Sequence, residues 1–288
     1  MRTALDCIPC IIRQALDSLR QITGDARIQE EVLRDVLIFM SELPEQSTPP
    51  SIARDVHRLL RDKTGNTDPY SSIKKRSNDI AIKLYEGIKE HEDMPLDKFE
   101  AAIRLAIAGN IIDFGAKSNV TDEDIETTIN TSLTAQIDSD GIRNLKEEVA
   151  KADSILYLAD NAGEIIFDRF LIEQLPAHKT TLAVRGKPII NDATIEDAEI
   201  AGLTDIVTTI GNGSDAPGTI LDDCSEEFNS YFEKADLIIS KGQGNYETLN
   251  EVNRNIFFLL KVKCPMVAKD LKSEIGSLII QKSPHSTL

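Results

Sequence analysis

The sequence predicts an α/β protein with a helical first half and a second half built on a mainly parallel sheet. In the first half, apolar residues recur at helical spacing; from about residue 150, short apolar runs alternate with helical stretches. Alternating strands and helices are typical of a parallel sheet covered by helices on both faces. We expect a helical domain at residues 1–140 and a Rossmann-like, three-layer α/β domain at residues 141–288.

The helices of the first half are predicted from apolar residues at i, i+3, i+4 and i+7. These residues are Ile11, Ile12, Ala15, Leu16 and Leu19, then Val32, Val36, Leu37 and Met40, and later Ile80, Ile82, Leu84 and Ile88. Turn residues such as Pro49-Pro50 and Pro95 separate the stretches. No convincing strand alternation occurs in this half.

The strands of the second half are predicted from short apolar runs. These runs are residues 154–159, 181–184, 205–210, 237–240 and 256–262, with helical stretches at 164–175 and 222–234. We expect the polar tail from Gln281 onwards to be frayed. Ligands bind beyond the carboxyl ends of the strands in such sheets, so the polar residues that follow each strand are the first candidates for a site.

The composition limits the kinds of partner that this chain is expected to bind. The 48 acidic and 32 basic residues give a net charge of −16, which disfavours a polyanion such as nucleic acid. No apolar run approaches the ~20 residues that span a bilayer, so no membrane partner is expected. The N-terminus lacks the apolar segment of a secretory signal. We therefore expect a cytoplasmic protein.

Three loops at predicted strand ends share one chemistry. Residues 160–164, 185–194 and 241–247 each combine carboxylate, amide or ammonium groups with glycine, which lets a backbone approach a ligand. Any one residue has a simpler explanation, because Asp and Asn are preferred helix N-caps and a lysine is usually on the surface. Three such loops in one α/β half favour a binding site.

The oxygen-bearing residues of these loops predict a site for a hard cation. Asp160, Asn161 and Asp192 offer only oxygen ligands, which suit Mg²⁺ or Mn²⁺ with water at the remaining positions. Lys241 would add positive charge for a substrate phosphate. The turn after Asp160 leads directly into a helix whose free N–H groups favour an anion. Together these groups would stabilise the charge that develops in phosphoryl transfer.

Other site types lose support. The four histidines are scattered and lie outside these loops, which argues against a histidine-ligated zinc hydrolase. Neither a dinucleotide fingerprint nor a P-loop motif is present. Cys7 and Cys10 form a CxxC pair at the start of a helix, where a thiolate is favoured. The pair is redox-active, structural, or half of a zinc site completed by Cys224 and Cys264.

The helical half contains one comparable stretch. Residues 108–115 place glycine, amide and acid within an apolar, helix-like run, which is costly unless these groups serve a purpose. Asn110 and Asp113 could line the same cleft from the other domain. The alternative is a helix end with capping polar groups.

Taken in order, these motifs resemble the damage-control phosphatase family, long catalogued as domain of unknown function eighty-nine. The motifs are Asp6-Cys7-x-x-Cys10, Asp68-Pro69-Tyr70, Gly109-Asn110-x-x-Asp113, Asp160-Asn161-Ala-Gly163-Glu164, Asn191-Asp192-Ala-Thr194 and Lys241-Gly242-x-x-Asn245-Tyr246. The resemblance runs over nearly the whole chain. The CxxC pair is similar to the branch found largely in archaea.

The resemblance implies a phosphatase of small phosphorylated metabolites that works with Co²⁺, Ni²⁺, Mn²⁺ or Mg²⁺. Asp160, Asn161 and Asp192 match the family's metal ligands. Glu164 and Lys241 match positions on the substrate side. The remaining recurrent motif positions, expected here to bind substrate, are Asn110, Asp113 and Asn245.

Our sequence hypothesis is metal-assisted hydrolysis of a phosphomonoester of a small metabolite, such as a sugar phosphate or a damaged metabolite. Asp160, Asp192 and Lys241 are the expected catalytic residues, with the general base assigned to Asp160 or Asp192. The sequence is also compatible with a homo-oligomer of this chain. The two alternatives are a non-catalytic protein that binds a phosphometabolite or nucleotide, and an S-adenosylmethionine-dependent carboxyl methyltransferase.

Overall fold

Seven helices precede the first strand in a computed structural model that describes residues 1–44, 47–90, 96–109 and 121–285. They are α1 (Cys7–Ile22), α2 (Ala26–Ser41), α3 (Pro49–Thr64), α4 (Ser71–Glu90), α5 (Lys98–Ala108), α6 (Asp122–Thr134) and α7 (Ser139–Lys151). The predicted apolar stripes are mostly buried, but Leu37 is 46% exposed. In the described part of the chain, no helix is both long and apolar enough to cross a membrane.

The first three helices pack around a core of their own, which includes Leu19, Val36 and Val56. Helix α3 begins after Thr48, whose side chain accepts a hydrogen bond from the backbone of Ser51 in a capping box. It ends at Gly65 in the left-handed conformation, which glycine adopts without strain. Local capping signals therefore set both ends of this helix.

A six-stranded sheet forms the centre of the second half. Its strands are β1 (Ile155–Leu158), β2 (Thr180–Val184), β3 (Thr208–Gly211), β4 (Leu237–Lys241), β5 (Ile256–Lys261) and β6 (Leu278–Lys282). The spatial order is β3-β2-β1-β4-β5-β6, and every pair is parallel except β5 with β6. The helices between the strands are α8 (Glu164–Ile172), α9 (Ile195–Ile200), α10 (Glu226–Lys234), α11 (Gln243–Leu249) and α12 (Pro265–Asp270).

Helices cover both faces of the sheet, and alternate residues of each strand face opposite layers. In β1, Ile155 and Tyr157 enter the core that also contains residues of α4, α5 and α8. Leu156 and Leu158 enter the core beneath α10, α11 and α12. The α/β fold with a mainly parallel sheet is thereby confirmed. Helices α4 and α5 share a core with the sheet. The domain boundary at residue 140 stays a prediction.

The last strand corrects the sequence prediction. Gln281 and Lys282 belong to β6, which pairs antiparallel with β5, and not to a frayed tail. β6 is the edge strand of the sheet and is only partly buried, so it lacks the continuous apolar run that marks a buried strand.

The strand order places a crevice between β1 and β4. The chain proceeds from β1 to β2 on one side and from β4 to β5 on the other, so the connections diverge at these neighbours. Ligands bind at such a switch point, beyond the carboxyl ends of the strands. Asp160 follows β1 and Lys241 ends β4. The fold thus brings two predicted site residues to one crevice.

Candidate active site

The turns after β1 and β2 pair with each other beyond the sheet. Asn161 and Asp192 form an isolated antiparallel bridge. The Ala162 N–H donates to the Asn191 carbonyl oxygen at 2.8 Å, and the Ala193 N–H donates to the Asp160 carbonyl oxygen at 2.8 Å. Directly opposed residues of an antiparallel pair present their side chains on the same face. The structure therefore brings the predicted cation ligands of two separate loops together.

Asp160 is a buried acid among other acids. Burial, followed by the nearby carboxylates of Glu164 and Asp192, raises the pKa of Asp160 to about 8. The backbone of Gly242 lies directly against this carboxylate: a Cβ at position 242 would stand 2.0 Å from the Asp160 Oδ2 atom. Gly242 also has φ +81°, which favours glycine. Only glycine at this position leaves room for the acid.

Asn161 and Lys241 hold Glu164 between them. The Asn161 Nδ2 atom donates to Asp160 Oδ2 at 2.7 Å and to Glu164 Oε2 at 3.0 Å. Lys241, which is fully buried, donates to Glu164 Oε1 at 2.9 Å, to the Ala106 carbonyl oxygen at 2.8 Å and to Asp168. An ammonium group has three N–H donors, so all three are engaged.

Lys241 is therefore not a surface lysine. Its ammonium group lies between Glu164 and Asp168, and these two carboxylates raise its pKa against the opposing effect of burial. Direct contact between Lys241 and a phosphate would require one of its three protein hydrogen bonds to break. Its predicted role at the phosphate stays a prediction.

Asp192 is held from the other side of the site by a chain of polar groups. The Arg185 Nε atom donates to Asp192 Oδ2 at 2.7 Å, and Arg185 Nη2 donates to Asn245 Oδ1 at 3.2 Å. The Asn245 side chain also accepts from Thr219 and donates to the carbonyl oxygens of Ala159 and Lys241. Asn245 thus positions Arg185, and Arg185 positions Asp192.

Helix capping does not explain these residues. The N-cap of α8 is Gly163, which has no side chain to act as a cap. Helix α9 is capped by Thr194, in a capping box with Asp197, so Asp192 is not needed there. The N-cap positions of α8 and α9 are therefore occupied by Gly163 and Thr194, and not by Asp160, Asn161 or Asp192.

Helix α4 of the first half buttresses the same loops. The Asn78 Oδ1 atom accepts from the Gly163 N–H at 2.7 Å, and Asn78 Nδ2 donates to Asp197 Oδ1 at 2.8 Å. The buried Lys74 donates to Asp197 Oδ2 at 3.1 Å. The helical half therefore fixes the backbone on either side of the Asn161–Asp192 bridge.

The buried groups carry more negative than positive charge. Four carboxylates, those of Asp160, Glu164, Asp168 and Asp192, face two cations, Lys241 and Arg185, which leaves an excess of two negative charges when all are ionised. We call these six residues the charge cluster. Buried charges are costly unless they are compensated. One divalent cation matches the excess, and the oxygen donors suit a hard ion.

The geometry defines how a cation would be held. Among the described residues, no three His, Cys, Asp or Glu side chains form a ready metal-binding group. A cation here would depend on the Asn161 amide oxygen beside the carboxylates of Asp160 and Asp192, with water completing its coordination. Magnesium-like ions usually retain several waters in this way. The residues fit such an ion, and its binding stays a prediction.

Two predicted substrate residues, Asn110 and Asp113, lie outside the described residues. Gly109 precedes them at the end of α5. A Cβ at position 109 would lie 2.9 Å from the Phe167 Cβ and 3.3 Å from the Glu164 Cγ. The end of α5 therefore packs closely against α8 beside the charge cluster.

Sequence reasoning missed two members of the charge cluster. Asp168 stands four residues after Glu164 on an apolar helix, so both acids lie on one helix face, and that spacing was the available signal. Arg185 directly follows β2, where its position at a strand end was the signal. The sequence did not show which residues bond to Asp168 and Arg185, because these partners lie in distant parts of the chain.

The CxxC pair lies in the first turn of α1, as its position predicted. Burial raises the pKa of the Cys7 thiol, so the expected thiolate is not favoured there. All four cysteines are described and none forms a disulfide. With no metal-binding group of three such side chains among the described residues, the geometry does not support a four-thiolate zinc site.

The family model of the damage-control phosphatase ARMT1-like domain matches residues 3–279. A damage-control phosphatase of Pyrococcus horikoshii is 38% identical, with 98% of this chain and 99% of the relative covered. A damage-control phosphatase of Archaeoglobus fulgidus is 32% identical, covering 95% and 96%. An uncharacterized protein of Methanocaldococcus jannaschii is 39% identical, covering 96% and 94%.

A solved structure shares the whole fold. The crystal structure of a DUF89 family protein from Pyrococcus horikoshii superimposes with a TM-score of 0.91 at 37% sequence identity. The match covers 98% of this chain and 99% of that protein. Both the helical half and the sheet half are therefore shared.

Proposed function

The chain belongs to the damage-control phosphatase family and is a phosphatase, and from this premise we propose that it hydrolyses phosphomonoesters of small metabolites with a divalent cation. The cation would be held by Asp160, Asn161 and Asp192. The observation that carries this proposal is the antiparallel bridge between Asn161 and Asp192 at the edge of the charge cluster. It joins oxygen donors from two loops at the crevice between β1 and β4.

A bound divalent cation would offset negative charge on a phosphate oxygen. The protein's own groups fix the geometry around it. Arg185 orients Asp192 through the bond from its Nε atom. Glu164 and Asp160 orient the Asn161 amide by accepting from its Nδ2 atom, and Lys241 fixes Glu164. Such preorganised groups supply electrostatic stabilisation without rearranging during the reaction.

The reaction needs one water and one proton acceptor. The water oxygen forms a bond to phosphorus while the bond between phosphorus and the ester oxygen breaks. Asp160 or Asp192 accepts the water proton, and the departing alcohol oxygen takes up a proton from solvent. In the absence of a cation, burial raises the pKa of both acids.

Two other functions have less support. The family relatives named as phosphatases favour catalysis over simple binding. A methyltransferase would need a loop shaped for its cofactor after β1, where this chain has the acids of the charge cluster.

The proposal predicts that phosphate release depends on a divalent cation. Protein stripped with a chelator is expected to release no inorganic phosphate from a panel of phosphomonoesters. Added Mn²⁺, Co²⁺, Ni²⁺ or Mg²⁺ is expected to restore release, because the excess negative charge of the cluster would otherwise repel the substrate phosphate. The measurement is colorimetric detection of phosphate before and after dialysis with each ion. Equal release in the presence of the chelator would refute metal dependence.

A further inference from the structure

Thr219 is a buried residue whose hydroxyl group the proposed chemistry does not use. It lies in the segment at residues 212–225, which connects β3 to α10. Its Oγ1 atom donates to the Asn245 Oδ1 atom at 2.8 Å and accepts a long hydrogen bond from the Arg185 Nη1 atom at 3.4 Å. Since Arg185 Nη2 also donates to Asn245 Oδ1, the three side chains form a closed ring of hydrogen bonds. Thr219 therefore contacts both side chains that stand behind Asp192.

Arg185 is held at three points by this arrangement. Its Nε, Nη1 and Nη2 atoms donate to three different partners, which are Asp192, Thr219 and Asn245. A guanidinium group is planar and rigid, so contacts at three of its nitrogens fix its position and the orientation of its plane. Asn245 is itself fixed, because it donates to two backbone carbonyl oxygens. The bond from Arg185 to Asp192 Oδ2 therefore depends on where the Thr219 hydroxyl lies.

The segment that carries Thr219 is packed against α11. The two backbones approach closely at Gly218 and Gly244, since a Cβ at position 218 would lie 2.6 Å from the Gly244 carbonyl oxygen. The Thr219 N–H donates to the Thr248 Oγ1 atom at 3.2 Å. Because Asn245 belongs to the same helix, these contacts fix Thr219 relative to Asn245.

Three arginines of α3 hold the same segment from the helical half. Arg58 donates to Asp215 Oδ1 at 2.9 Å and to Asp223 Oδ1 at 3.0 Å. Arg54 donates to Asp223 Oδ1 at 3.1 Å, and Arg61 donates to Asp215. A network of several charges holds its geometry better than a single surface ion pair does. The two acids lie on either side of residue 219 in the sequence, so the segment is anchored both before and after the hydroxyl.

We propose that Thr219 is a positioning residue for cation binding: its hydroxyl holds the Arg185 guanidinium in the orientation that engages Asp192 Oδ2 and leaves Asp192 Oδ1 for the cation. This inference rests on the proposed function, in which Asp192 is a cation ligand. Without the hydroxyl, Arg185 keeps two of its three contacts and Asp192 is oriented less strictly. The cation is then bound less tightly, while the donor atoms themselves are unchanged.

Thr219→Val tests this role, because valine has nearly the shape of threonine and lacks the hydroxyl. The EPR signal of free Mn²⁺, followed as protein is added, should give a Kd for Mn²⁺ about fivefold or more above that of the wild type, the order of effect of one lost hydrogen bond. Thr219→Ala also lacks the hydroxyl and should behave in the same way, so the test does not depend on one variant folding. Thr219→Ser keeps the hydroxyl and should restore the affinity of the wild type.

Thr180→Val is the matched control. Thr180 is buried at the first residue of β2, and its hydroxyl donates to the Pro176 carbonyl oxygen at 3.0 Å, at the opposite end of the strand from Arg185. The same chemical change there should lower the Tm and leave the Kd for Mn²⁺ unchanged. A loss of Mn²⁺ affinity in Thr180→Val as large as that in Thr219→Val would show a general loss of stability and overturn the positioning role.

Phosphate release measured on the same variants separates this inference from the proposed function. The Mn²⁺ concentration that gives half the maximal rate should rise in Thr219→Val as the Kd does, with KM for the phosphomonoester at saturating Mn²⁺ unchanged. Equal Mn²⁺ affinity of Thr219→Val and the wild type would overturn the positioning role and leave the proposed hydrolysis standing. The expected order of affinities in a protein that releases no phosphate would do the reverse. A wild type that does not bind Mn²⁺ would overturn both.

Discussion

Replacing Asp160 with asparagine is expected to abolish phosphate release and, in the presence of a chelator, to stabilise the fold. Asparagine keeps the size of the side chain and removes one negative charge from the charge cluster. Without that charge the cation would be held less tightly. The negative charge on the reacting phosphate would then be offset less well. We expect kcat/KM to fall on the order of 100-fold or more, as for loss of a preorganised electrostatic group.

The stabilisation follows from the raised pKa of Asp160. The carboxyl group titrates at about 8 in the folded protein and at 3.8 when unperturbed. The unfolded chain therefore releases this proton more readily, and the folded state loses stability as pH rises from about 4 to about 8. At pH 7 the loss has an upper limit of about 4 kcal/mol. Asp160→Asn removes this loss of stability. The difference in unfolding free energy between the variant and the wild type should therefore grow as pH rises from about 4 to about 8.

Thermal unfolding at several pH values, with and without Mn²⁺, measures these effects. The ion should raise the Tm of the wild type, because a ligand of the folded state stabilises it, and should raise that of the variant much less. Asp236→Asn is the matched control, since Asp236 directly precedes β4, at the opposite end of the strands, and accepts from the N–H groups of Asp153 and Ser154. It should lower stability and leave the response to Mn²⁺ intact. A variant of Asp160 that is destabilised in chelator, or fully active, would contradict the charge argument.

Gly242→Ala is expected to eliminate activity and to destabilise the protein by about 3–5 kcal/mol. The new Cβ would overlap the Asp160 carboxylate at 2.0 Å, and φ +81° is unfavourable for alanine. Since Asp160 is enclosed by the charge cluster, it can yield only by leaving its position among the candidate ligands. The response to Mn²⁺ should therefore be lost together with activity.

Gly65→Ala separates backbone strain from the steric effect. Gly65 has φ +70°, close to that of Gly242, and nothing lies within 4 Å of its Cβ position. The substitution should cost about 1–2 kcal/mol and leave turnover unchanged. Chemical denaturation and phosphate release, measured side by side on both variants, test this pair. Retention of activity by Gly242→Ala would show that Asp160 does not need its present position.

The sequence predicted the elements whose signals are local. β1, β2, β4 and β5 are buried on both faces, so each appears as a short apolar run. β6 was missed because it lies at the edge of the sheet and is only partly buried, with Gln281 exposed, so that it has no continuous apolar run. Pro49-Pro50, which were expected to form a turn, are instead the first two residues of α3, because proline is tolerated in the first turn of a helix. The periodicity of neighbouring residues therefore transfers from sequence to structure more directly than a turn signal does.

The candidate site could be predicted only in part, since its pairings are not local. Asp160, Asn161 and Asp192 were found because they follow strands of a parallel sheet. The burial of Lys241 and its bond to Asp168 depend on how α8 packs over β4, which no local pattern encodes. The link from Asn245 through Arg185 to Asp192 likewise joins three separate loops.

Anomalous diffraction from crystals soaked in Mn²⁺ tests the central claim most directly. The account predicts one manganese peak between the loops at 160–161 and 192, with oxygen atoms of Asp160, Asn161 and Asp192 at about 2.0–2.6 Å, the range for hard cations. No peak there, or a peak beyond the reach of these three side chains in a protein whose activity requires Mn²⁺, would contradict it.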